Sequence, residues 1–355
     1  MERLRAAIVE ALAAIAPGRP LRDGLDRILQ ANKGALILVG DGPEVLSICS
    51  GGFLLDAEFS PQRLAELAKM DGAIILAGDA SRIARANVHL VPSPNVPTTE
   101  TGTRHRTAER VARSIDVPVI AVSEDLAVIT LYLGDTKHAL ESVARLLGRA
   151  NQALQTLERY RDRLDSVTSS LSALEVEDLV TARDVITVLQ RAEMVRRIAE
   201  EIEGYIVELG TDGRLAHLQL EELMAGVEDE RRHVVFDYLP VDDADRVDEA
   251  MVALASLETD RLLVPQSVAA VLELDEGRDL QSSLQPRGYR LLSRIPRLPE
   301  SVIIATVARY GSLHKIMSAT IDDLSTVDEV EPATARLVKD GLARIAESSI
   351  LDRYS

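Results

Sequence analysis

The sequence is poor in the side chains on which several classes of protein depend. Its 355 residues include one cysteine, Cys49, and no tryptophan, with only three phenylalanines and seven tyrosines. A lone cysteine excludes a disulfide framework and a cysteine-rich zinc site, and it fits a reducing cytoplasm. So few aromatic side chains argue against a single-strand nucleic-acid binder that stacks bases on aromatic rings.

Long apolar runs are also missing. The apolar runs, Ala35–Val39 and Ala73–Ala77, are much shorter than the ~20 residues needed to cross a bilayer. The first twenty residues are charged from the second position and lack the continuous apolar stretch of a signal peptide. We therefore expect a cytoplasmic protein that makes no contact with a membrane.

Basic side chains are fewer than acidic ones, and the difference varies along the chain. The chain has 40 Lys and Arg against 57 Asp and Glu, a net charge of −17. Residues 1–138 carry 15 basic and 17 acidic side chains, and residues 291–355 carry 8 basic and 9 acidic ones. The remaining 17 basic and 31 acidic side chains therefore lie in residues 139–290. Because an acidic middle repels phosphate backbones, the composition argues against indiscriminate nucleic-acid binding.

The sequence pattern divides the chain into three regions. With 46% hydrophobic residues the chain can bury sizeable cores. Residues 1–138 alternate between strand-like and helix-like patterns and predict a mixed sheet flanked by helices. Residues 139–290 predict a helical spine, and residues 291–355 predict short helices joined by two related hairpins, a helix-hairpin-helix module. The expected fold is thus a multidomain α/β plus all-α protein.

Local signals refine the first region. Ala35–Val39 and Val45–Cys49 flank the turn residues Gly40–Pro43 and predict a hairpin. Val91–Thr103 contains three prolines and no periodicity, so we interpret it as a functional loop. A helix is predicted over Thr107–Ser114.

The helical middle shows two further patterns. No glycine or proline occurs in residues 149–203, where leucines repeat every seven residues, as expected of helix packing or of an oligomer contact: Leu157, Leu164 and Leu171. Ser172–Glu175 has the spacing of a capping box and predicts the start of another helix.

The sharpest chemical signal is the run Gly102-Thr-Arg-His-Arg-Thr107 at the start of a predicted helix. The guanidinium groups of Arg104 and Arg106, the hydroxyls of Thr103 and Thr107, and the N–H groups of a helix N-terminus all favour an anion. Ordinary surface arginines would instead oppose the helix dipole there. This run therefore predicts a phosphate site.

Two other segments could complete that site. Asp71-Gly72-Ala73 joins a helix to a buried strand; its carboxylate could hold Mg²⁺ or Mn²⁺ or orient a hydroxyl, although Asp-Gly alone is a common turn. Ser123 and Glu124 follow another strand and could contact phosphate and metal, with a plain strand-end turn almost as good an interpretation. The other histidines lack ligand spacing and are expected to be structural or exposed: His89, His138, His217, His233 and His314.

Asp71-Gly-Ala and the run from Glu100 to Arg110, which contains Arg104-His-Arg106, resemble the signature motifs of diadenylate cyclase domains. With its helical middle and C-terminal hairpins, the whole chain resembles the DisA family of DNA-integrity scanning diadenylate cyclases. The resemblance implies that two ATP molecules condense to cyclic di-AMP with loss of two pyrophosphates. It also implies that two cyclase domains meet face to face, within an octamer.

The resemblance further implies residue roles. Asp71 would bind metal and help activate the 3′-hydroxyl, and Arg104, His105 and Arg106 would serve catalysis. Glu124 is a further metal candidate on its chemistry alone. The implied nucleotide contacts are Gly72, Ala73, Leu90, Thr103, Arg104, Thr107 and Ser123.

The resemblance implies that the C-terminal hairpins bind branched DNA through glycine-rich turns, but this sequence departs from that pattern. Glu329 and Glu331 stand where the family pattern places glycines, so the second hairpin would repel a phosphate backbone. The first hairpin with Arg297 remains a candidate DNA contact, as do the nearby arginines Arg287, Arg290 and Arg294.

Two alternatives stay open beside a cyclase regulated by branched DNA. One is a DNA-scanning scaffold whose N-terminal domain only senses ATP. The other is a different nucleotidyltransferase that uses the same site on another acceptor.

Overall fold

The computed structural model of the chain describes residues 2–240, 244–274 and 279–353. These residues form two compact units. The first contains residues up to 153 together with 201–219, and the second contains residues 154–200 together with those from 220 onward.

The first unit is built on a mixed β-sheet. Its strands are β1 (Ala35–Val39), β2 (Cys49–Ser50), β3 (Phe53–Glu58), β4 (Ala73–Leu76), β5 (Arg82–Leu90), β6 (Val119–Ser123), β7 (Val128–Leu133) and β8 (Thr136–Ala139). They lie in the order β2-β5-β4-β1-β6-β7-β8, and β3 pairs with β5. The central strand β1 is parallel to β4 and antiparallel to β6. The predicted mixed sheet is confirmed.

Helices cover both faces of this sheet. They are α1 (Glu2–Ala14), α2 (Pro20–Gln30), α3 (Pro43–Ser47), α4 (Pro61–Leu67) and α5 (Thr103–Ser114). Successive strand residues point to opposite faces, so Ile37 joins the core that contains Leu25 of α2 and Leu64 of α4. Its neighbour Leu38 joins a second core, with Val111 of α5. The sheet is therefore buried on both sides, as the apolar runs require.

The predicted hairpin after β1 is wrong. Its second arm, Val45–Cys49, overlaps α3, which begins at Pro43, a position where the missing N–H of proline costs nothing. The ladder partners of β1 lie far along the chain, with Leu38 opposite Ile75 on one side and Val119 on the other. α5 also begins at Thr103 rather than at Thr107.

Two long helices and several shorter ones follow the sheet. They are α6 (Val143–Glu177), α7 (Ala182–Leu209), a 3-10 turn (Gly210–Gly213), α8 (Arg214–Met224), α9 (Val227–Tyr238), α10 (Ala244–Ser256), α11 (Thr259–Leu262) and α12 (Pro265–Val271). The predicted helical middle is confirmed, and its heptad leucines are buried within the chain: Leu157, Leu164 and Leu171. No helix in the described ranges has the length and apolar character needed to cross a membrane.

The predicted capping box is wrong, because α6 runs through it without a break. Ser172 Oγ donates to the carbonyl oxygen of Thr168 at 3.0 Å, a bond made within the helix. Glu175 forms an ion pair with Arg290 at 2.5 Å, and both side chains are fully buried. Removal of one partner from such a pair costs about 3–5 kcal/mol.

Within the described residues 279–353 there are five more helices: α13 (Tyr289–Ser293), α14 (Glu300–Tyr310), α15 (Leu313–Ser318), α16 (Ile321–Leu324) and α17 (Pro332–Arg353). The two hairpins that the sequence relates share one backbone geometry. Arg297 and Glu329 are both left-handed, with φ of 65° and 66°. The next N–H, of Leu298 or Val330, donates to the carbonyl three residues earlier, at 3.3 and 3.1 Å. Two non-glycine residues thus hold a conformation that favours glycine.

Candidate active site

One cavity of the first unit, about 1100 Å³ in volume, gathers most of the predicted site residues. Those that line it are Asp71, Gly72, Ala73, Leu90, Thr103, Arg104, His105, Thr107, Ser123 and Glu124. Arg106 is not among the lining residues, and its side chain is exposed on α5.

The sheet topology explains how distant segments meet. β4 is parallel to β1 and β6 is antiparallel to it, so β4 begins at the edge where β6 ends. That edge holds Ala73 and Ser123, with Leu36 of β1 between their strands. β5 returns antiparallel to β4 and places Val88 opposite Ala73, which brings Leu90 to the same edge.

Gly72 is held against the backbone of β5. Its N–H donates to Asn87 Oδ1 at 3.2 Å, and Asn87 is itself left-handed with φ of 53°. A Cβ at Gly72 would lie 2.7 Å from that Oδ1, and closer still to the Asn87 backbone. Only glycine fits this approach, and the approach fixes the backbone that carries Asp71.

Arg104 lies in the first turn of α5 against another glycine. A Cβ at Gly34 would lie 3.1 Å from Arg104 Nη2, and closer still to Nη1 and Cζ, so the guanidinium packs over a bare backbone. Gly102, at the N-cap with φ of 81°, supplies no side-chain cap. The first N–H groups of α5 therefore have no capping side chain, and such groups bind anions.

Glu109 ties the proline-containing loop to α5. Its carboxylate accepts hydrogen bonds from the Thr98 hydroxyl and, at 3.0 Å, from the Thr99 N–H, and it pairs with Arg113 at 3.2 Å. Burial acts to raise the pKa of Glu109, but the bonds from Thr98 and Thr99 and the charge of Arg113 outweigh it, so the pKa is lowered. An ionised, buried carboxylate thus anchors the predicted loop.

A hydrogen-bonded chain runs along one wall of the cavity. His105 Nδ1 lies 2.9 Å from Tyr132 Oη, and Tyr132 Oη lies 3.0 Å from Glu100 Oε1. Lys137 forms an ion pair with the same Glu100 oxygen. Burial lowers the pKa of His105, although the charge of Glu100 opposes this, and burial together with Glu100 raises the pKa of Tyr132.

The carboxylates of Asp71 and Glu124 line the cavity and are the candidate ligands of a divalent cation. The part of the chain that the structure describes contains no group of three or more His, Cys, Asp or Glu side chains placed to hold a metal. Asp71 is exposed and Glu124 lies 4.0 Å from Lys33. Mg²⁺ is commonly bound by one or two carboxylates plus substrate phosphates, so the donor set fits an ion shared with a nucleotide.

Arg294 and Arg297, the predicted DNA contacts, lie in the second unit. Arg294 donates to Ser172 Oγ at 2.8 Å and pairs with Glu230 at 3.1 Å, and it is exposed, as Arg297 is. Arg287 is half-buried and donates to two backbone carbonyl oxygens of the same unit, at 3.2 and 2.8 Å. Arg290 is fully buried, so it cannot contact DNA and that prediction is wrong.

Several lining residues were missed by the sequence reasoning: Asn87, His89, Glu100, Thr130 and Lys137. His89 was expected to be structural or exposed; it is exposed and also lines the cavity. An asparagine within a strand was the one usable signal, since asparagine is depleted there and tolerates the left-handed conformation.

Comparisons with known proteins agree with this geometry. Residues 22–137 match the family model of the DisA bacterial checkpoint controller nucleotide-binding region, and residues 140–281 match that of its linker region. The chain is 56% identical over 345 residues to the DNA integrity scanning protein DisA of Frankia alni, covering 97% of this chain and 96% of that protein. It is 55% identical over 356 residues to the protein of the same name from Acidothermus cellulolyticus, covering 99% and 96%.

Among solved structures, the chain is similar to DacA from Staphylococcus aureus, with 22% identity and a TM-score of 0.27 over 40% of this chain and 88% of that one. Because that TM-score is low, the family is assigned from sequence alone. Two family models match the chain, and the relatives are more than half identical to it along nearly its whole length. The chain belongs to the DisA family and is a diadenylate cyclase.

Proposed function

We propose that the cavity binds one ATP and that two such cavities, from two copies of the chain, together make cyclic di-AMP. The 3′-oxygen of each ATP attacks the α-phosphorus of the other. Each attack forms a new P–O bond and breaks the bond to the β-phosphate, so two pyrophosphates leave and two hydroxyl protons are released. The gathering of the Asp71 and Arg104 segments in one cavity carries the proposal.

The start of α5 is proposed to hold the triphosphate. Thr103, Arg104 and Thr107 line the cavity there, and the uncapped N–H groups point the positive end of the helix dipole at an anion. Phosphoryl transfer asks a protein mainly for positioning and charge neutralisation. Leu90 and Ala73 would contact the nucleoside, and Ser123 a phosphate.

Asp71 is proposed to hold Mg²⁺ or Mn²⁺ together with the triphosphate, with Glu124 as a second ligand. The ion would supply charge neutralisation at the phosphates. Asp71 is suited to this because its carboxylate is exposed in the cavity and its backbone is fixed by Gly72. Glu124 would have to leave Lys33, which lies 4.0 Å away and is half exposed, so the exchange costs little.

The reaction itself calls for an oligomer. One cavity presents one α-phosphate and one 3′-hydroxyl in the same nucleotide, so ring closure needs a second cavity opposite. We expect face-to-face pairs of cyclase domains, assembled into an octamer.

A direct test is to incubate the protein with ATP and either cation and to separate the nucleotides by liquid chromatography with mass detection. Cyclic di-AMP is expected from the wild type and nearly none from Asp71→Asn, while that variant still binds ATP. Asp116→Asn is the matched control, since Asp116 is exposed and outside the cavity lining. Bound but unconverted ATP in the wild type would favour the sensor scaffold, and a product of another mass would indicate a different acceptor.

Branched DNA is proposed to regulate the enzyme through the first C-terminal hairpin. Arg297 is exposed at its tip, whereas the equivalent position of the second hairpin is Glu329. A phosphate backbone would be attracted by one hairpin and repelled by the other.

A further inference from the structure

The inference concerns His105 and rests on the proposed function. Among the described residues, His105 is the one histidine whose ring is hydrogen-bonded to Tyr132. The Tyr132 hydroxyl is in turn hydrogen-bonded to Glu100. Tyr132 is 1% exposed and does not line the cavity, whereas His105 does. The Nδ1 side of the ring therefore faces the protein.

The protons of this chain can be assigned from its chemistry. Tyr132 Oη has a single hydrogen and two partners. The Glu100 carboxylate can only accept, because its ion pair with Lys137 and its bond from Tyr132 outweigh burial and lower its pKa. Tyr132 must therefore donate to Glu100, and its oxygen accepts the hydrogen of His105 Nδ1.

That assignment leaves Nε2 of the neutral ring without a hydrogen. In the described residues Nε2 has no hydrogen-bond partner, and it is not among the buried unpaired atoms. Nε2 is thus an accessible acceptor. It cannot donate to a phosphate oxygen, unlike the guanidinium of Arg104 next to it.

We propose that Tyr132 and Glu100 are positioning residues that hold His105 as an acceptor for a hydroxyl of the substrate. The donors that ATP offers are its two ribose hydroxyls and its amino group, and the reacting group is the 3′-hydroxyl. His105 then acts on the attacking oxygen and Arg104 on the phosphates. The middle residue of the arginine-histidine-arginine run has a different task from the first.

The tautomer can be measured without any activity. Solid-state NMR of the full-length protein with ¹⁵N-labelled histidine separates a ring nitrogen that carries hydrogen from one that does not. His105→Gln assigns the signal among the six histidines. We expect hydrogen on Nδ1 and none on Nε2 at neutral pH. Hydrogen on Nε2, or on both nitrogens, would overturn the proposal.

Tyr132→Phe keeps the buried ring and removes the hydroxyl. The tautomer should become mixed and kcat should fall by about 10–100-fold, by analogy with the loss that follows removal of the hydrogen-bond partner of a metal-bound histidine, with little change in KM for ATP. Tyr310→Phe, in the second unit, is the matched control. An unchanged tautomer, or a loss confined to KM, would contradict the positioning role.

Glu100→Gln provides a second variant should Tyr132→Phe fold poorly. A glutamine NH₂ can donate to Tyr132 Oη, which frees the phenol to donate to His105 Nδ1 and moves the hydrogen to Nε2. The reversed tautomer is expected together with the loss of kcat. If the wild type makes no cyclic di-AMP, the proposed function fails, whereas the NMR signals still decide the tautomer.

Discussion

Replacement of Gly72 by alanine should damage catalysis more than stability. The added Cβ would lie 2.7 Å from Asn87 Oδ1, whereas ordinary contact begins at 3.4 Å, so at least 0.7 Å of movement is needed. The nearer contacts are to the Asn87 backbone, which is part of β5 and paired to β4. The turn that carries Asp71 is therefore the part that must move.

The size of each effect follows from this displacement. Overpacking of a well-packed site costs about 1–3 kcal/mol of unfolding free energy. A misplacement of about 1 Å at a reacting centre can cost about 10²-fold in rate. We therefore expect Gly72→Ala to fold, with a modest loss of stability, and to lose about two orders of magnitude in kcat.

Steady-state production of cyclic di-AMP and thermal unfolding measure the two effects side by side. Gly78→Ala is the control, because Gly78 has no atom within 4 Å of its added Cβ. Wild-type kcat for Gly72→Ala would refute the argument that this close approach positions Asp71. A fully unfolded variant would show that the displacement cannot be absorbed locally.

Two further predictions concern stability and DNA. Glu329→Gly and Arg297→Gly should each raise the unfolding free energy by about 1 kcal/mol, since both residues are left-handed. In gel-shift assays, the affinity for a four-way DNA junction should rise for Glu329→Gly and fall for Arg297→Gly. Equal affinities would refute the charge argument. The ion pair with Glu208 raises the pKa of His138 above 6.5, so the stabilisation by this pair is complete below about pH 6.5 and is lost as pH rises through the folded pKa. The unfolding free energies of wild type and Glu208→Gln, measured with a chemical denaturant across pH, should therefore converge at high pH. A difference that stays constant with pH would contradict this.

The sequence predicted the parts of the fold that depend on local pattern. Short continuous apolar runs between helix-like segments predicted the sheet flanked by helices, and the absence of glycine and proline from residues 149–203 predicted the helical middle. Two of the errors, the hairpin and the capping box, have one physical cause. Gly40–Pro43 and Ser172–Glu175 carry good local signals for a turn and a cap, but the first lies before a helix and the second within one, because tertiary partners decide which local signal is used.

The site divides in the same way. Residues of the two sequence runs, such as Asp71 and Arg104, were predictable because each run has a recognisable chemistry. Asn87 and Tyr132 were missed, since each acts through hydrogen bonds to residues distant in sequence. Arg290 shows the converse, as its charge suggested DNA while its burial assigns it to an internal ion pair.

The anchoring of the proline-containing loop by Glu109 has a consequence for how the site opens. The same helix holds the loop through Thr98 and presents Arg104 to the cavity. We therefore expect fraying of α5 to release the loop, so that the two segments exchange their amide hydrogens as one cooperative unit. A nucleotide that binds at the start of α5 should then slow exchange in the loop as well, by an amount set by its concentration relative to its Kd. Ligand affinity should thus be measurable at the amides near Thr98, which does not line the cavity.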